Sequence, residues 1–438
     1  MAAEKVQVVV VGAGLAGLAT AYVLADAGVE VLVVERGDYP GSKNVTGGRL
    51  YLEPVRPYLP DLWDGAPFER RVVKERLTMM APQASVTAEL SSTSFKKEPP
   101  YSLTVLRATF DQWLAEKVNE KGGLVVPGYK VDDLLMENGR VVGIRSSEAQ
   151  VLADVVVAAD GILSFIAEKA GLRKRHDPRN FAVGIKEVIE LPAEKIQDRF
   201  GLQEGEGAAQ LFFGSITEGM MGGGFLYTNR QSLSLGLVIG IHDLMAKQLS
   251  PGRDLARMQL HDLMEAFKAR PEVQALIAGG HPVEYSAHTI PEGGLRGIPK
   301  LVADGIIVVG DAAGLALNQA VTVRGMDMAL VSGVLAARAI LLARDKNDFS
   351  AASLAQYEQA LKDSFVYRDI TTFQHMPKVL SNPRLFNEYP LVVSDLLEQI
   401  MWVGASPKEK MSSTALRTVR QKLLKWAVIG DLWDMRRI

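Results

Sequence analysis

A short glycine-rich segment near the start of the sequence has the residue types and spacing of a phosphate-binding turn. Gly12-Ala13-Gly14-Leu15-Ala16-Gly17 follows the β-branched run Val6–Val11 and opens a run with helical periodicity. Gly12 permits a tight turn, Gly14 lets the backbone approach a pyrophosphate, and Gly17 lets the helix pack closely on the strand. The helix would offer free N–H groups and its positive dipole end to the phosphates. We expect a dinucleotide here; the alternative is a glycine-tightened turn without a ligand.

An acidic residue stands where the adenosine ribose of such a cofactor would lie. Glu35 ends the next predicted strand, Val29–Glu35, eighteen positions after Gly17, close to the spacing of about 20 residues in dinucleotide-binding folds. Its carboxylate would accept hydrogen bonds from the ribose 2′-OH and 3′-OH. The same carboxylate would repel a 2′-phosphate, which argues against NADP. Arg36 follows directly and is a further candidate at this end of the site.

Two aspartates and one arginine extend the candidate site along the chain. Asp160-Gly161 follows the predicted strand Val151–Ala159, and Gly310-Asp311 follows Ile306–Val309. Arg107 precedes the predicted helix Phe110–Lys121, where a cation can reach a phosphate or a flavin ring. For Asp311 the alternative interpretation is a helix N-cap without a ligand.

The order of the predicted elements indicates an α/β protein with a second sheet inserted in the chain. The apolar runs at 6–11, 29–35, 151–159 and 306–309 predict one buried, parallel sheet. Strands at 182–190, 208–213, 223–227 and 233–241, interrupted by a helix at 254–269, predict a separate, mainly antiparallel sheet. A long helix is expected at 322–343. We therefore predict a discontinuous cofactor-binding domain (1–179 plus 289–349), a substrate domain (180–288) and a helical C-terminal region (350–438).

Composition excludes several classes of function. The 438 residues carry a formal net charge of -2, whereas nucleic-acid-binding proteins are usually basic. No cysteine is present, which excludes disulfides, thiol catalysis and cysteine-ligated iron–sulfur clusters within this chain. The six histidines show no metal-ligand spacing, so we predict no metal site.

Neither a signal peptide nor a membrane-spanning helix is expected. Val6–Val11 comes directly after a short N-terminus without a basic and apolar leader. The longest apolar run, Ala329–Ala343, is interrupted by Arg338 and predicts a buried helix. The absence of cysteine fits a reducing cytosol, and we expect a cytoplasmic protein.

Together these segments resemble the FAD-binding set shared by aromatic hydroxylases, geranylgeranyl reductases and electron-transfer-flavoprotein:quinone oxidoreductases. The resemblance implies a glutathione-reductase-type Rossmann-like domain, an α/β fold that is α+β overall. It implies non-covalent FAD, with Asp311 hydrogen-bonded to the ribityl chain. The helix after Asp311 would point its N-terminus at the pyrimidine edge of the flavin, where negative charge accumulates on reduction.

Further segments resemble the FixC-type branch of the quinone oxidoreductases. They are Ser42–Leu50, Lys186–Pro192, Gly222–Tyr227, Gly293–Leu301 and Arg324–Asp327. In that family the first of these segments lies on the isoalloxazine, and backbone N–H groups of the third meet the quinone carbonyls. The resemblance thus implies more cofactor-binding residues, namely Asn44, Gly47, Gly48, Val131, Asn318 and Gly325. The implied quinone-binding residues are Gly222, Gly223, Phe225 and Tyr227. The alternatives are core positions for the aromatic residues and a bulge or tight strand crossing for the glycines.

The FixC-type resemblance also implies a reaction and its partners. Electrons would come from an electron-transfer flavoprotein with alpha and beta subunits. They would pass through a [4Fe–4S] cluster on a separate, FixX-type ferredoxin-like subunit, because this sequence has no cysteine. FAD would then reduce menaquinone or ubiquinone at the membrane surface, with the chain peripherally associated with the cytoplasmic membrane.

The sequence from Ser406 is basic and contains interleaved tryptophans, and Arg417, Arg420 and Lys425 are its candidate docking residues. This basic segment has three interpretations: it docks an acidic ferredoxin-like partner, it contacts anionic lipid, or it is a solvated helical face without a partner. Two other functions for the whole chain also stay open: an NAD(P)H-linked flavin reductase or hydroxylase of the geranylgeranyl reductase type, and a lipid-binding module without FAD.

Overall fold

The computed structural model describes residues 4–43, 48–147, 149–174, 176–249, 259–423 and 426–436. Asn44 and Gly47 therefore lie outside the described residues. In chain order the strands are β1 (Glu4–Val11), β2 (Val31–Val34), β3 (Arg49–Tyr51), β4 (Phe68–Met80), β5 (Ser85–Ser91), β6 (Ser102–Val105), β7 (Leu124–Val126), β8 (Asp133–Glu137), β9 (Arg140–Arg145), β10 (Gln150–Ala158), β11 (Phe181–Glu190), β12 (Glu206–Gly214), β13 (Gly222–Thr228), β14 (Ser232–Gly240), β15 (His281–Pro291), β16 (Val302–Ala303), β17 (Ile306–Val308), β18 (Leu317–Asn318) and β19 (Val323–Arg324).

The α-helices connect the strands in the first part of the chain and dominate its last part. They are α1 (Leu15–Asp26), α2 (Arg107–Glu120), α3 (Phe165–Lys169), α4 (Ala193–Phe200), α5 (Ile241–Gln248), α6 (Leu260–Lys268), α7 (Pro271–Ile277), α8 (Met326–Asp345), α9 (Ala351–Leu354), α10 (Gln356–Asp363), α11 (Phe365–Thr372), α12 (Met376–Leu380), α13 (Glu388–Met401), α14 (Met411–Thr418) and α15 (Trp426–Met435).

The first sheet has the order β16-β17-β10-β1-β2-β7, with the β8–β9 hairpin attached to β10. The pairs of β1 with β2, β1 with β10, β10 with β17 and β2 with β7 are parallel. Val8 to Val11 are at most 6% exposed, as expected of strands covered by helices on both faces. The predicted parallel sheet is therefore confirmed.

Two glycine contacts fix α1 against this sheet and against α8. A Cβ atom on Gly17 would lie 2.1 Å from the Gly12 carbonyl oxygen, so only glycine lets α1 start this close to the end of β1. On the other side, the Thr20 hydroxyl donates to the Gly333 carbonyl oxygen at 3.1 Å, where α8 crosses α1. The start of α1 is therefore held rigidly at the carboxyl edge of the sheet.

The second sheet has the order β15-β11-β14-β13-β12-β4-β6-β3, with β5 paired to β4. The strands predicted between 180 and 288 are all present, but β3 to β6 come from residues 49–105, where none was expected. Their pattern hides them, because β4 and β5 are joined by charged pairs such as Arg76–Glu89 at 2.6 Å, and β5 is mostly exposed. The predicted division into domains stays a prediction. The second sheet contains strands from residues 49–105 as well as from the predicted range 180–288.

The long helix predicted from residue 322 starts later, so this boundary was wrong. Residues 323–324 form β19, which pairs with β18, and Gly325 is the N-cap of α8. Among the described residues, α8 is the helix with the length and composition to cross a membrane, yet 83% of its apolar window is buried inside the protein. That burial confirms the interpretation as a core helix.

The region from residue 350 is helical, as predicted, but it is not uniform. Leu354, Tyr357, Leu361, Val366 and Ile370 are buried in the same hydrophobic core as the first sheet. Further along, residues 401–403 are 70–78% exposed. The C-terminal region thus starts as part of the first domain and ends as a surface layer.

Candidate functional site

A cavity of about 310 Å³ lies between the two sheets. Its wall includes residues that follow the carboxyl ends of β1, β2, β10 and β17, the place where open α/β sheets bind their ligands. Fifteen of the residues predicted from the sequence line it: Gly12, Gly14, Leu15, Ala16, Glu35, Arg36, Gly48, Arg107, Val131, Asp160, Gly161, Asp311, Asn318, Gly325 and Tyr227. The structure therefore brings together positions up to 313 residues apart in the sequence.

The phosphate-binding turn has the geometry of a cradle. Gly12 has a φ of +107°, and a Cβ atom there would lie 2.3 Å from the Ala159 carbonyl oxygen. A Cβ atom on Gly14 would meet nothing within 4 Å, so the backbone there faces open space. Gly14 is also the N-cap residue of α1, and because it has no side chain it cannot accept hydrogen bonds from the first N–H groups of the helix. The first N–H groups of α1 are thus available to an anion in the cavity.

Glu35 lies beside this cradle. Its carboxylate accepts hydrogen bonds from the backbone N–H groups of Ala13 at 2.9 Å and Gly37 at 2.7 Å. Ala13 does not line the cavity, and its N–H instead fixes Glu35 in place. Glu35 therefore ties the glycine-rich turn to the end of β2 while it faces the cavity.

Arg107 and Asp311 form the middle of the cavity wall. The Arg107 guanidinium donates two hydrogen bonds of 2.8 Å to the Asp111 carboxylate. Burial alone would lower the pKa of Arg107, but Asp111 and Asp311 raise it above its ordinary value. Burial raises the pKa of Asp311, and Arg107 opposes that shift. Within the described part of the chain no group donates a hydrogen bond to the Asp311 carboxylate, which leaves it able to accept one from a ligand.

Three of the predicted cofactor-binding residues also stabilise the fold around the cavity. Gly17 packs on Gly12, and Gly310 packs on α1, where a Cβ atom would lie 2.6 Å from the Ala16 side chain. The Asp160 carboxylate accepts hydrogen bonds from the Ser164 hydroxyl at 2.8 Å and the Ile166 N–H at 3.0 Å. Asp160 therefore supports the start of α3 at the edge of the cavity, and its role toward a ligand stays a prediction.

The second sheet contributes a cationic and aromatic face to the cavity. Arg49 forms a bidentate ion pair with Glu75, and the Tyr101 hydroxyl donates to the same carboxylate at 2.7 Å. The Arg49 guanidinium also lies 4.3 Å from the ring centroid of Tyr51. Arg324 is held by Asp327 and Asp369. Both arginines line the cavity, Arg49 from the second sheet and Arg324 from the β18–β19 pair. They lie inside the segments Ser42–Leu50 and Arg324–Asp327, but the sequence did not single them out as site residues.

The predicted quinone-binding residues are only partly brought to this cavity. Tyr227 lines it and stacks on Phe225 at 5.4 Å, whereas Gly222, Gly223 and Phe225 do not line it. A Cβ atom on Gly222 would lie 2.0 Å from the Val238 carbonyl oxygen. A Cβ atom on Gly223 would lie 2.4 Å from the Phe212 carbonyl oxygen. The close approach of neighbouring strands therefore explains both glycines without a ligand, and their quinone role stays a prediction.

Two titratable residues of the cavity wall were also missed. Glu292 and His288 stand at the end of β15, a strand that the sequence did not reveal. Burial raises the pKa of Glu292 to about 7, and the Asn318 amide opposes the shift. Burial lowers the pKa of His288, with Arg36 and Arg107 adding to the effect. The available signal was the sequence Glu292-Gly293-Gly294, an acid directly before two glycines.

Within the described ranges, no group of three or more His, Asp or Glu side chains could hold a metal ion. The cradle and the acid at the end of β2 instead fit a dinucleotide, as does Asp311, whose carboxylate receives no hydrogen bond from the described residues. They fit FAD in particular, because the cavity continues past Asp311 to the second sheet.

Comparison with known proteins agrees with this geometry. Residues 7–78 match the family model described as FAD dependent oxidoreductase, and residues 376–438 match the ETF-QO/FixC family C-terminal domain. The chain is 43% identical over 414 residues to the probable electron transfer flavoprotein-quinone oxidoreductase YdiS of Escherichia coli K12, covering 93% of each chain. It is 37% identical over 444 residues to protein FixC of Bradyrhizobium diazoefficiens, covering 100% of this chain and 99% of that one.

Solved structures show the same fold at lower identity. A geranylgeranyl bacteriochlorophyll reductase-like protein from Thermoplasma acidophilum superimposes with a TM-score of 0.72 and 21% identity, covering 98% of this chain and 99% of that one. The myxobacterial chondrochloren halogenase CndH gives a TM-score of 0.63 at 20% identity, covering 91% and 90%.

Proposed function

The chain belongs to the family of FixC and the electron-transfer flavoprotein-quinone oxidoreductases, and on that premise we propose that it carries electrons from an electron-transfer flavoprotein to a membrane quinone. It is an FAD-dependent oxidoreductase. We propose that the donor has alpha and beta subunits, and that a FixX-type ferredoxin-like subunit relays the electrons. The acceptor is menaquinone or ubiquinone.

The observation that supports this proposal most is that residues of both sheets line one cavity. Its first wall holds the cradle, Glu35 and Asp311, and its second wall holds Tyr227 and His288. A cofactor held on the first wall therefore has a reactant surface on the second. Enzymes of this kind leave the redox chemistry to the cofactor and supply binding, orientation and electrostatics.

The residues that would hold FAD act on different parts of it. The start of α1 attracts the pyrophosphate, Glu35 accepts hydrogen bonds from the adenosine ribose, and Asp311 accepts one from the ribityl chain. FAD exchanges electrons singly or in pairs, which suits it to link a one-electron donor with a two-electron acceptor. Because the chain has no cysteine, no cysteinyl–flavin bond can form, and we propose non-covalent binding.

The iron–sulfur partner follows from the same composition. Clusters of the [4Fe–4S] type are held by cysteine thiolates, and none of the 438 residues is cysteine. We therefore propose that a cluster which passes electrons to FAD resides on a separate chain.

An exposed surface near the end of the chain supports docking at a membrane or partner. We call it the C-terminal patch; it comprises Met401, Trp402, Val403, Met411 and Leu416, all 69–78% exposed, with the cations Lys408, Lys410, Arg417 and Arg420. Clustered exposed apolar side chains mark interaction surfaces. We propose that the apolar residues touch the cytoplasmic face of the membrane and that the cations receive the acidic partner.

A direct test separates this function from an NAD(P)H-linked reductase or hydroxylase. The purified chain with FAD is first reduced with dithionite under anaerobic conditions. It is then mixed with vesicles with and without menaquinone or ubiquinone, and FAD absorbance is followed. We expect rapid reoxidation only with quinone, and no rapid reduction of the oxidised chain by NADH or NADPH. Rapid reduction by NAD(P)H together with indifference to quinone would overturn the proposal.

A further inference from the structure

Glu292 is a buried carboxyl group in the wall of the cofactor cavity. It directly follows β15, is 9% exposed, and its backbone N–H donates to the Asn180 carbonyl oxygen at 2.8 Å. The Asn318 side-chain amide lies 3.3 and 3.4 Å from its two carboxyl oxygens. These are long hydrogen bonds, and in the described part of the chain they are the only ones its carboxyl group receives.

Among the residues that the structure describes, no cation pairs with this carboxyl group. Nearby charged and titratable groups are His288 on β15, Arg179 beside the Asn180 partner, Arg296 in the following 3₁₀ turn, and Arg368 and Asp369 on α11, which packs on that turn. The other charged residues that line the same cavity are Glu35, Arg36, Lys43, Arg49, Arg107, Lys130, Asp160, Asp311 and Arg324. Among the described residues, none of them forms an ion pair or hydrogen bond with Glu292. Arg324 is instead occupied by Asp327 and Asp369, and Arg179 by Asp177 at 2.7 Å.

The consequence is a group that changes its charge near neutral pH. A buried carboxylate without a cation is costly, so burial favours the protonated acid. The pKa of Glu292 rises to about 7 for this reason, although the Asn318 amide lowers it. An acid or base is most effective in proton transfer when its pKa is close to the working pH.

We propose that Glu292 relays protons between solvent and the redox group held in the cavity. The proposal rests on the proposed function only for the identity of that group, FAD. When two electrons enter FAD, at least one proton must enter with them. The O–H bond of Glu292 breaks, its electron pair stays on the carboxylate, and the proton moves into the cavity. A proton from water then restores the acid and leaves hydroxide in solvent.

The structure also suggests why Asn318 is next to this acid. Its Nδ2 group donates to Glu292, while its Oδ1 atom accepts from the Ala320 N–H at 3.0 Å. The amide is thereby fixed and stabilises the carboxylate without adding a charge. Asn318 is a positioning residue in this scheme.

The test uses the full chain with FAD and dithionite alone, so it needs neither the flavoprotein donor nor a quinone. Infrared difference spectra between the reduced and oxidised states should show the carbonyl stretch of a protonated carboxylic acid. This band should titrate near pH 7, be lost in Glu292→Gln and return in Glu292→Asp. Glu284→Gln, on the same strand but paired with Lys186 at 3.1 Å, is the matched control and should keep it.

A second readout is the midpoint potential of FAD as a function of pH. Reduced flavin itself ionises near neutral pH, so the measured quantity is the part of the change in slope near pH 7 that depends on Glu292. This change should be the same in the unsubstituted chain and in Glu284→Gln, and smaller or moved to another pH in Glu292→Gln. A missing acid band, or an unaltered break in Glu292→Gln, would overturn the relay. Failure of the vesicle experiment with these two readouts intact would instead count against the proposed function only.

The FAD-free protein provides a readout if Glu292→Gln loses FAD. Because the folded-state pKa is raised above the ordinary 4.5 of glutamate, Glu292 favours folding at low pH, and this contribution is lost as pH rises through about 7. Denaturant unfolding should therefore show Glu292→Gln gaining stability relative to the unsubstituted chain between about pH 5 and pH 8. A constant difference across that range would overturn the inference.

Discussion

At the scale of single residues, Glu35 is the clearest link between the sequence and cofactor binding. Glu35→Ala should weaken FAD binding by about 1.5–3 kcal/mol, the range for a hydrogen bond to a charged group. Part of this loss is indirect, because Glu35 also holds the N–H groups of Ala13 and Gly37. Glu30→Ala, at an exposed position just before β2, is the control. The dissociation constant of FAD is measured by quenching of flavin fluorescence, and unchanged retention would show that Glu35 is not the ribose ligand.

Some of the site residues could be predicted from the sequence, and others could not. Gly12, Gly17 and Glu35 were predictable because they act on neighbours in the same βαβ unit, where spacing alone decides the geometry. Glu292 was not, because an isolated glutamate in sequence is usually a surface residue. Its burial arises only when the end of β15 meets β18 at the cavity. Glu292 and Asn318, which contact each other there, are 26 residues apart in the sequence.

At the scale of elements, the strongest predictions came from uniform apolar runs. The valines of β1 and the body of α8 were recognised because a buried strand or helix has no polar face. By contrast, β4 and β5 are held by cross-strand ion pairs and were missed. The start of α8 was wrong because residues 323–324 pair with β18, a contact that overrides their helical pattern.

The glycines of β13 show how one pattern can have two causes. Replacing Gly222 or Gly223 by valine would seem a direct way to block a quinone site. The added side chain would instead collide first with the carbonyl oxygens of β14 and β12, at 2.0 and 2.4 Å from Cβ. Loss of activity in such variants would therefore report on the sheet, and the side chain of Tyr227 is the better probe.

The C-terminal patch makes an element-scale prediction. Its four cations face one neighbouring acid in the sequence, Glu409, which pairs with Arg417 at 2.6 Å. The later acids Asp431 and Asp434 are held by Arg384 and Lys378, which lie before the patch in the sequence. Of the docking residues expected from sequence, Arg417 and Arg420 lie on this surface, and Lys425 is outside the described residues. Arg417→Glu combined with Arg420→Glu should slow electron transfer from the ferredoxin-like subunit to FAD and reduce its salt sensitivity, since steering by opposite charges is screened by ions.

Stopped-flow reduction of FAD by the reduced ferredoxin-like subunit, at low and high ionic strength, measures this effect. Arg179→Glu replaces another exposed arginine that is paired with a carboxylate, and it should leave the rate unchanged. Equal rates and equal salt dependence in the patch variant would place the docking face elsewhere.

At the scale of the whole molecule, the fold places one redox cavity between two sheets and adds a surface layer at the end of the chain. The predicted fold class was confirmed because α/β connectivity is strongly constrained by the parallel sheet and its crossover helices. The contribution of residues 49–105 to the second sheet was not predictable, since it depends on pairing between β4 and β12 more than 120 residues apart. Through β4 and β6 that pairing joins β3, and with it the cavity-lining Arg49, to the second sheet.

The central claim is that this chain receives electrons through a cluster it does not carry. Reconstitution from purified parts tests it: the chain with FAD, the electron-transfer flavoprotein in its reduced form, quinone vesicles, and a small cysteine-bearing ferredoxin-like subunit that is added or withheld. Quinone reduction is followed under anaerobic conditions. The account predicts rapid reduction only when the ferredoxin-like subunit is present, because the 438 residues contain no cysteine to hold a cluster. Equally rapid reduction without that subunit would contradict it.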